Sequence, residues 1–375
     1  TITAVATNSG GSTTTASVLV TLDTTAPRIE VYSPAAGGST TAATATVSGM
    51  VNDIVVGTVN PQQAVVSVNG VTAQVLNRSF VARDVPLALG SNTLQAVATD
   101  RAGNRVTTTV QLNRVAPAAG QGSLTLVSGN NQAAGVGTLL AQPLVVRLAD
   151  AQGNPVANRP VVFRVISQDG AVGPVGAQPT ALLGAVAVNT DSQGVARAAW
   201  RLGSRAGAGN NLVEASSSGV ASSADFSASG QPSAPALMVV DSGNNQNGVV
   251  GQPLPLPFIA IVTDANNNRL ANVPVTFEAK GGNGGFVDAQ GALQRTLQAV
   301  SDGDGRVAAI LTLGPDQGVG NNLVEASFAG NTGYAAAFTA SGMVPGPADQ
   351  TRISGVVLDN SNNPIPGVTM RLLHI

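Results

Sequence analysis

The chain has 375 residues, 10% of them charged and 3% aromatic, with a formal net charge of −2. It holds no cysteine, one histidine (His374), one lysine (Lys280) and one tryptophan (Trp200). These counts exclude disulfides, thiolate metal sites, a cysteine nucleophile and a histidine-based triad. The near-neutral balance gives no basic footprint for nucleic acid or anionic lipid. No run of 18 apolar residues occurs, so no membrane-spanning segment is predicted in this stretch. Soluble domains are ordinarily about 25% charged, so this surface is written in Thr, Ser, Asn and Gln.

The first segment, TITAVATNSGGS…VLVTLDTTAP, matches NTLQAVATDRAGNR…TVQLNRVAP at 92–117. Residues 1–26 therefore read as the closing hairpin of a unit like the complete one at 27–115. Within 27–115 the apolar residues alternate with period two, the signature of a half-buried strand. Ile29 and Val31 share one face, Glu30 and Tyr32 the other. Leu94, Ala96 and Ala98 form one face, and VTTTVQL (106–112) alternates in the same way. AVVSVNGVTAQV (64–75) reads as two strands around Asn69-Gly70, a pair that accepts φ > 0 at both central positions of a type I′ turn.

Two longer units follow at 122–230 and 235–342. GNNLVEAS stands at 209–216 and again at 320–327. ADAQGNPVANRPVVFRV (149–165) matches TDANNNRLANVPVTFEA (263–279), SGNNQ recurs at 128 and 242, and FSASG (226–230) matches FTASG (338–342). The turns DSQGVARAA and DGDGRVAAI begin at Asp191 and Asp302. Short Gly/Pro/Ser joints at 115–122, 230–236 and 344–350 separate the units. Proline stiffens such joints, which predicts a semi-rigid succession. Both ends of the stretch read as cut inside a unit.

No segment shows a sustained 3.6 period with helix caps. Short alternating strands separated by turn residues predict an all-β chain of tandem Ig-like β-sandwich modules in an elongated row. Phe163, Phe226, Phe277 and Phe338 are the expected core anchors. Trp200, whose counterpart in the next unit is read as Ile310, is expected to pack in a partly exposed position.

Few residues carry chemistry. Asp23 in LDTTAP at a module joint, Asp100 in ATDRAGN near the end of the first complete unit and Asp53 in VNDIV are the candidate ligands for Ca²⁺, a hard cation that takes six to eight oxygens. The competing role for such Asp and Asn residues is turn capping through side-chain hydrogen bonds. Asp302-Gly303-Asp304-Gly305 resembles a calcium loop only faintly, since Asp191 alone recurs in the sister turn and no bidentate Glu follows. The chain has four Glu, at 30, 214, 278 and 325. Glu214 and Glu325 hold equivalent repeat positions, which assigns them to the fold rather than to a glycosidase pair. Glu278 and Lys280 read as one solvated face. GGNGG (281–285) lacks the Lys-Ser/Thr of a phosphate-binding loop and reads as a turn. A single lysine limits Lys–Asn cross-links to at most one, and His374 reads as an ordinary strand residue.

On the Asp150–Phe163 and Asp264–Phe277 runs, the Thr190–Gly194 and Ser301–Gly305 turns and the GNNLVEAS strands, the units 122–230 and 235–342 resemble group 1 bacterial Ig-like domains of invasin and intimin. On TTAPRIEVYSP, the VSVNGV hairpin and ATDRAGN, the 27–115 unit resembles the Ig-like module of glucodextranase and of bacterial surface proteins. ISGVVLDNSNNPIPGVTMRL (353–372) resembles the start of a carboxypeptidase-regulatory-like sandwich, incomplete within 351–375. These resemblances imply a non-catalytic stalk, spacer or filament segment of a large bacterial extracellular or cell-surface adhesin-like protein. Its expected partners are other copies of itself, in a filament or surface layer, or a surface ligand held by regions outside this stretch. The alternatives are an adhesive or carbohydrate-binding module, or the accessory region of a secreted hydrolase whose active site lies elsewhere. Paucity of exposed aromatics weighs against sugar recognition.

Overall fold

The computed structural model describes residues 2–7, 10, 13–18, 23–54, 63–116, 122–220 and 223–344. The unit read at 351–375, with His374, lies outside the described residues. Apart from one 3-10 turn at Pro179–Ala181, the regular structure among the described residues is all β. The first hairpin pairs Ile2–Thr7 with Thr13–Val18.

Period-two alternation becomes two facing sheets in 27–115. One sheet runs, in spatial order, 28–33, 44–52, 79–86 and 74–76; the other runs 38–40, 105–114, 90–99, 65–68 and 71–72. Leu94, Ala96 and Ala98 are fully buried as predicted, and so are Val66 and Val68 on the neighbouring strand. Asn69 and Gly70 take φ of 46° and 84°, and Val68 pairs with Val71 across them, as the hairpin reading required. The inward residues of both sheets form one core with Phe80 and Val47.

The next two units repeat a common plan. The 122–230 unit has a four-stranded sheet in the order 123–128, 144–149, 195–201 and 171–174. Facing it is a five-stranded sheet in the order 132–135, 224–231, 207–216, 160–167 and 185–189. The 235–342 unit keeps a five-stranded sheet of 246–249, 336–343, 318–327, 274–279 and 296–300 and reduces the other to 237–242, 258–263 and 306–309. Both share a registry irregularity at the start of the GNNLVEAS strand, between Gly207 and Asn211 and between Gly318 and Asn322. In all three units the opening strand switches sheets and its second half pairs in parallel with the last strand. That pairing covers an edge that would otherwise stand open.

The four predicted phenylalanine anchors are all fully buried. Phe163 lies 6.4 Å from Phe226, and Phe338 stacks on Phe258 at 4.8 Å. Burying each such ring contributes about 1.5–3 kcal/mol. Trp200 corrects its expectation: it is buried rather than partly exposed. Its counterpart is also corrected. The Leu140 amide donates to the Trp200 carbonyl, and the equivalent Leu254 amide donates to Leu311, so Leu311 rather than Ile310 occupies the matching inward position. Ile310 is 43% exposed, on the outward side of the strand.

The tandem Ig-like arrangement is present, with contacts that a simple end-to-end row lacks. The 27–115 unit lies against both later units. Gly207 and Gly209 leave room for Ser79 and Val81; a Cβ on Gly209, which has φ +58°, would sit 2.6 Å from the Val81 Cβ. The Asn77 side chain exchanges hydrogen bonds with the Arg269 backbone, donating at 2.9 Å and accepting at 3.0 Å. Gln63 Nε2 donates to the Gly303 carbonyl at 2.8 Å. Between the later units, Asn268 accepts from the Ala206 amide at 2.8 Å and donates to the Ser204 carbonyl at 2.9 Å. Small residues permit the sideways approach, and nothing in strand periodicity announces it.

Val81 is buried yet stands outside its own unit's core, between Phe80 and Ala82, which belong to it. Val81→Arg is therefore expected to unseat the 27–115 unit while leaving that core intact. Solution scattering should show an increased radius of gyration with unchanged far-UV circular dichroism. An unchanged scattering curve would remove the docking role assigned to this strand.

Candidate functional site

Local folding places three carboxylates at one end of the 27–115 unit. Asp23 lies in the segment entering the first strand, where its Oδ1 accepts from the Thr25 amide at 3.0 Å. Asp53 follows the strand Thr44–Asn52. Asp100 opens the turn between Gly90–Thr99 and Arg105–Arg114. That turn is closed by Asn104, whose amide donates to Asp100 Oδ1 and whose Nδ2 donates to Oδ2, each at 2.8 Å. Asn104 Nδ2 also reaches the Asp23 carbonyl at 3.1 Å and ties the incoming segment to the turn.

One carboxylate oxygen from each of Asp23, Asp53 and Asp100 lies within 4.8 Å of the others. The three sequence-selected residues are thus brought together from positions far apart in the chain. Asp100 is buried, and Asp23 and Asp53 are half-buried. Burial, then the charges of Asp100, Asp23 and Asp304, push the Asp53 carboxyl up to about 6. Charge of one sign gathered in a partly desolvated place is chemistry that a hard cation relieves. Three carboxylate oxygens are hard ligands, which suit Ca²⁺ or Mg²⁺ and would not select a softer metal.

The surroundings come from another unit. Val51, Asp53, Gln63, Ala64, Val75 and Arg78 face Asp304 across a small gap. Asp304 is buried, and its carboxyl is raised by that burial and by Asp302, against the opposing pull of Arg269 and Arg78. The Arg269 guanidinium is lowered by burial and by Arg78, and its Nη1 donates to the Asp304 carbonyl at 3.0 Å. Sequence reading missed Gln63, Asn77 and Arg269 as contact residues. Their only signal was polarity in a turn, which most turns share.

The other candidates take structural places. Asp302 Oδ1 accepts from the Asp304 and Arg306 amides at 2.9 and 2.8 Å, and Asp191 Oδ1 accepts from Gln193 and Val195 at 2.9 and 3.0 Å. Both are turn caps of one design, which is why the sister turn keeps only that Asp. Glu278 pairs with Lys280 at 2.6 Å on an exposed face, and Glu214 lies 3.5 Å from Arg164. Glu278 stands opposite Glu325 across the sheet. No helix among the described residues is long and apolar enough to cross a membrane.

The fold defines a set of Ig-like sandwiches, and comparison with known proteins agrees for the first complete unit. The family model for glucodextranase, domain B, matches residues 27–114. No curated protein matches the chain. Among solved structures the chain is similar to the Escherichia coli adhesin FdeC, at 16% identity over 87% of this chain and 100% of that one, with a TM-score of 0.31. It is similar to the D0-D1 domain of intimin, at 18% identity over 58% of this chain and 96% of that one, with a TM-score of 0.21. It is also similar to the Yersinia pseudotuberculosis adhesin InvE, at 18% identity over 60% and 61% of the two chains, with a TM-score of 0.25.

Proposed function

We propose that this chain is a non-catalytic structural segment, a stalk or spacer, of a large bacterial extracellular or cell-surface adhesin-like protein. The observation that supports this reading is the hydrogen-bonded joint at Asn268, reinforced by the 27–115 unit lying across both later units. A chain without cysteine and with one lysine has few covalent routes to stiffness, so packed joints must supply it. The exposed tyrosines, Tyr32 and Tyr334, sit on different units, and Trp200 is buried. They form no shared aromatic platform for a sugar. Antibodies against residues 122–342 should label intact, unpermeabilised cells that express the full-length protein. Labelling seen only after lysis would overturn the surface assignment.

The Asp23, Asp53 and Asp100 cluster extends the same reading. Calcium held there would join the incoming segment, through Asp23, to the body of the 27–115 unit, through Asp53 and Asp100. The remaining ligands would be water or carbonyl oxygens. The cation's part is electrostatic, relieving repulsion between groups that the fold already brings together.

A further inference from the structure

The joint at Asn268 is built from two halves, and each half has a second copy in the same chain that is left uncovered among the described residues. The first half is a turn. In Asp264–Asn268 the Asn268 amide donates to Asp264 Oδ1 at 2.9 Å and its Nδ2 to Oδ2 at 3.0 Å. Asn268 is buried against Ser204 and Ala206. The repeat-equivalent turn Asp150–Asn154 has the same geometry, with the Asn154 amide 2.8 Å from Asp150 Oδ1 and Nδ2 3.1 Å from Oδ2. Asn154 is exposed. The same side chain, held the same way, faces solvent at the leading end of the 122–230 unit.

The second half is the face that receives the turn. Residues 206–209 are buried in the 122–230 unit, covered by Asn268 and by Ser79 and Val81. Their equivalents at the trailing end of the 235–342 unit are open. Pro315, Asp316 and Gln317 are exposed, Val319 is 92% exposed where Ala208 is fully buried, and Met343 and Val344 stand exposed beside it. The two groups that Asn268 engages are backbone groups, the Ala206 N–H and the Ser204 carbonyl. Their equivalents, the Gln317 N–H and the Pro315 carbonyl, survive the changes of side chain.

We propose that a second copy of this chain docks head to tail, its Asp150–Asn154 turn seated on the Pro315–Val319 face in the manner of the internal joint. The Gln317 N–H would donate to Asn154 Oδ1, and Asn154 Nδ2 would donate to the Pro315 carbonyl. The added copy covers the apolar residue that the internal joint has no means to cover. Such an interface uses different faces on the two partners, so each addition leaves one of each free and copies add in series until a ring closes, or without limit where the rotation does not close one. The internal joint benefits from a short tether, which the intermolecular one lacks, so association should depend steeply on concentration. This inference stands apart from the surface assignment, because a monomeric stalk would fail the test below and still label on intact cells.

The test is sedimentation velocity on the 375-residue protein over a concentration series. Progressive oligomers are expected. Asn154→Ala and Gln317→Pro, which removes the donor N–H, should each weaken self-association at least tenfold. Mixing the two variants should restore one interface and give dimers that grow no further, because one retains a sound trailing face and the other a sound leading turn. Circular dichroism and Trp200 fluorescence check folding, and Val319→Arg replaces Gln317→Pro if the proline variant fails that check. Monomers at every concentration, oligomers that survive both variants, or a mixture that does not dimerise would each overturn the proposal.

Discussion

Phe163→Ala is expected to destabilise the 122–230 unit by about 3–5 kcal/mol, the usual cost of emptying a buried aromatic site. The ring is fully buried among Val161, Val213 and Phe226, with its partner ring 6.4 Å away. Sandwich strands are tied by ladders on both sides, so the cavity has little room to collapse. Single domains are stable by about 5–15 kcal/mol, so the loss is a large fraction of the whole. The only tryptophan of the chain, Trp200, sits in the same core. Its fluorescence in a denaturant titration therefore reports this unit selectively. Phe277→Ala makes the same chemical change in the core of 235–342. It should shift the fluorescence midpoint much less, because the units meet through a few joint contacts rather than a shared core. Equal shifts for the two variants would show that the units unfold as one.

Much of this architecture is legible in the sequence because it is local or repeated. Asn69-Gly70 names its turn through φ alone. The alternation at Leu94, Ala96 and Ala98 names its face, and the GNNLVEAS repeat carries its registry irregularity with it. The Trp200 counterpart was misplaced by one residue, and in a strand one residue turns the side chain to the opposite face. The repeat offset that relates Asp191 to Asp302 already places Leu311 opposite Trp200, and the backbone pairing through Leu140 and Leu254 agrees with it. The docking of 27–115 was not legible. It rests on Gly207 and Gly209 being small and on Asn77 meeting Arg269, and neither glycine nor asparagine in a turn announces a partner. The carboxylates occupy an intermediate case. Asp23 was marked by its position at a joint, Asp100 by its place near the end of the unit and Asp53 as a third candidate near them, but the approach of Asp304 depends on that docking.

Asp53 makes the carboxylate cluster measurable. Its carboxyl is pushed up to about 6, first by burial and then by Asp100, Asp23 and Asp304, from an ordinary value of 3.8. A raised carboxyl means that the folded state holds its proton more tightly than the unfolded chain. Between about pH 4 and 6 folding therefore takes up a proton, and stability falls as pH rises through that window. In chelator, the thermal midpoint followed by circular dichroism should be higher at pH 5 than at pH 7 as far as Asp53 governs it. Calcium binds the ionised form, so it should raise the pH 7 midpoint and flatten or reverse the slope. Ligand at about 100 times its dissociation constant adds about 2.7 kcal/mol to the state it binds, which sets the scale of the shift at saturation. Asp53→Asn removes one negative charge and one ligand together. It should raise the midpoint in chelator at pH 7, remove Asp53's share of the pH 5 to 7 slope and leave little response to calcium. A wild-type midpoint indifferent to calcium, or an Asp53→Asn variant that responds as the wild type does, would eliminate the cation from this site. Magnesium is the matched control. It demands near-octahedral geometry and sheds water reluctantly, so at equal concentration it should give the smaller shift.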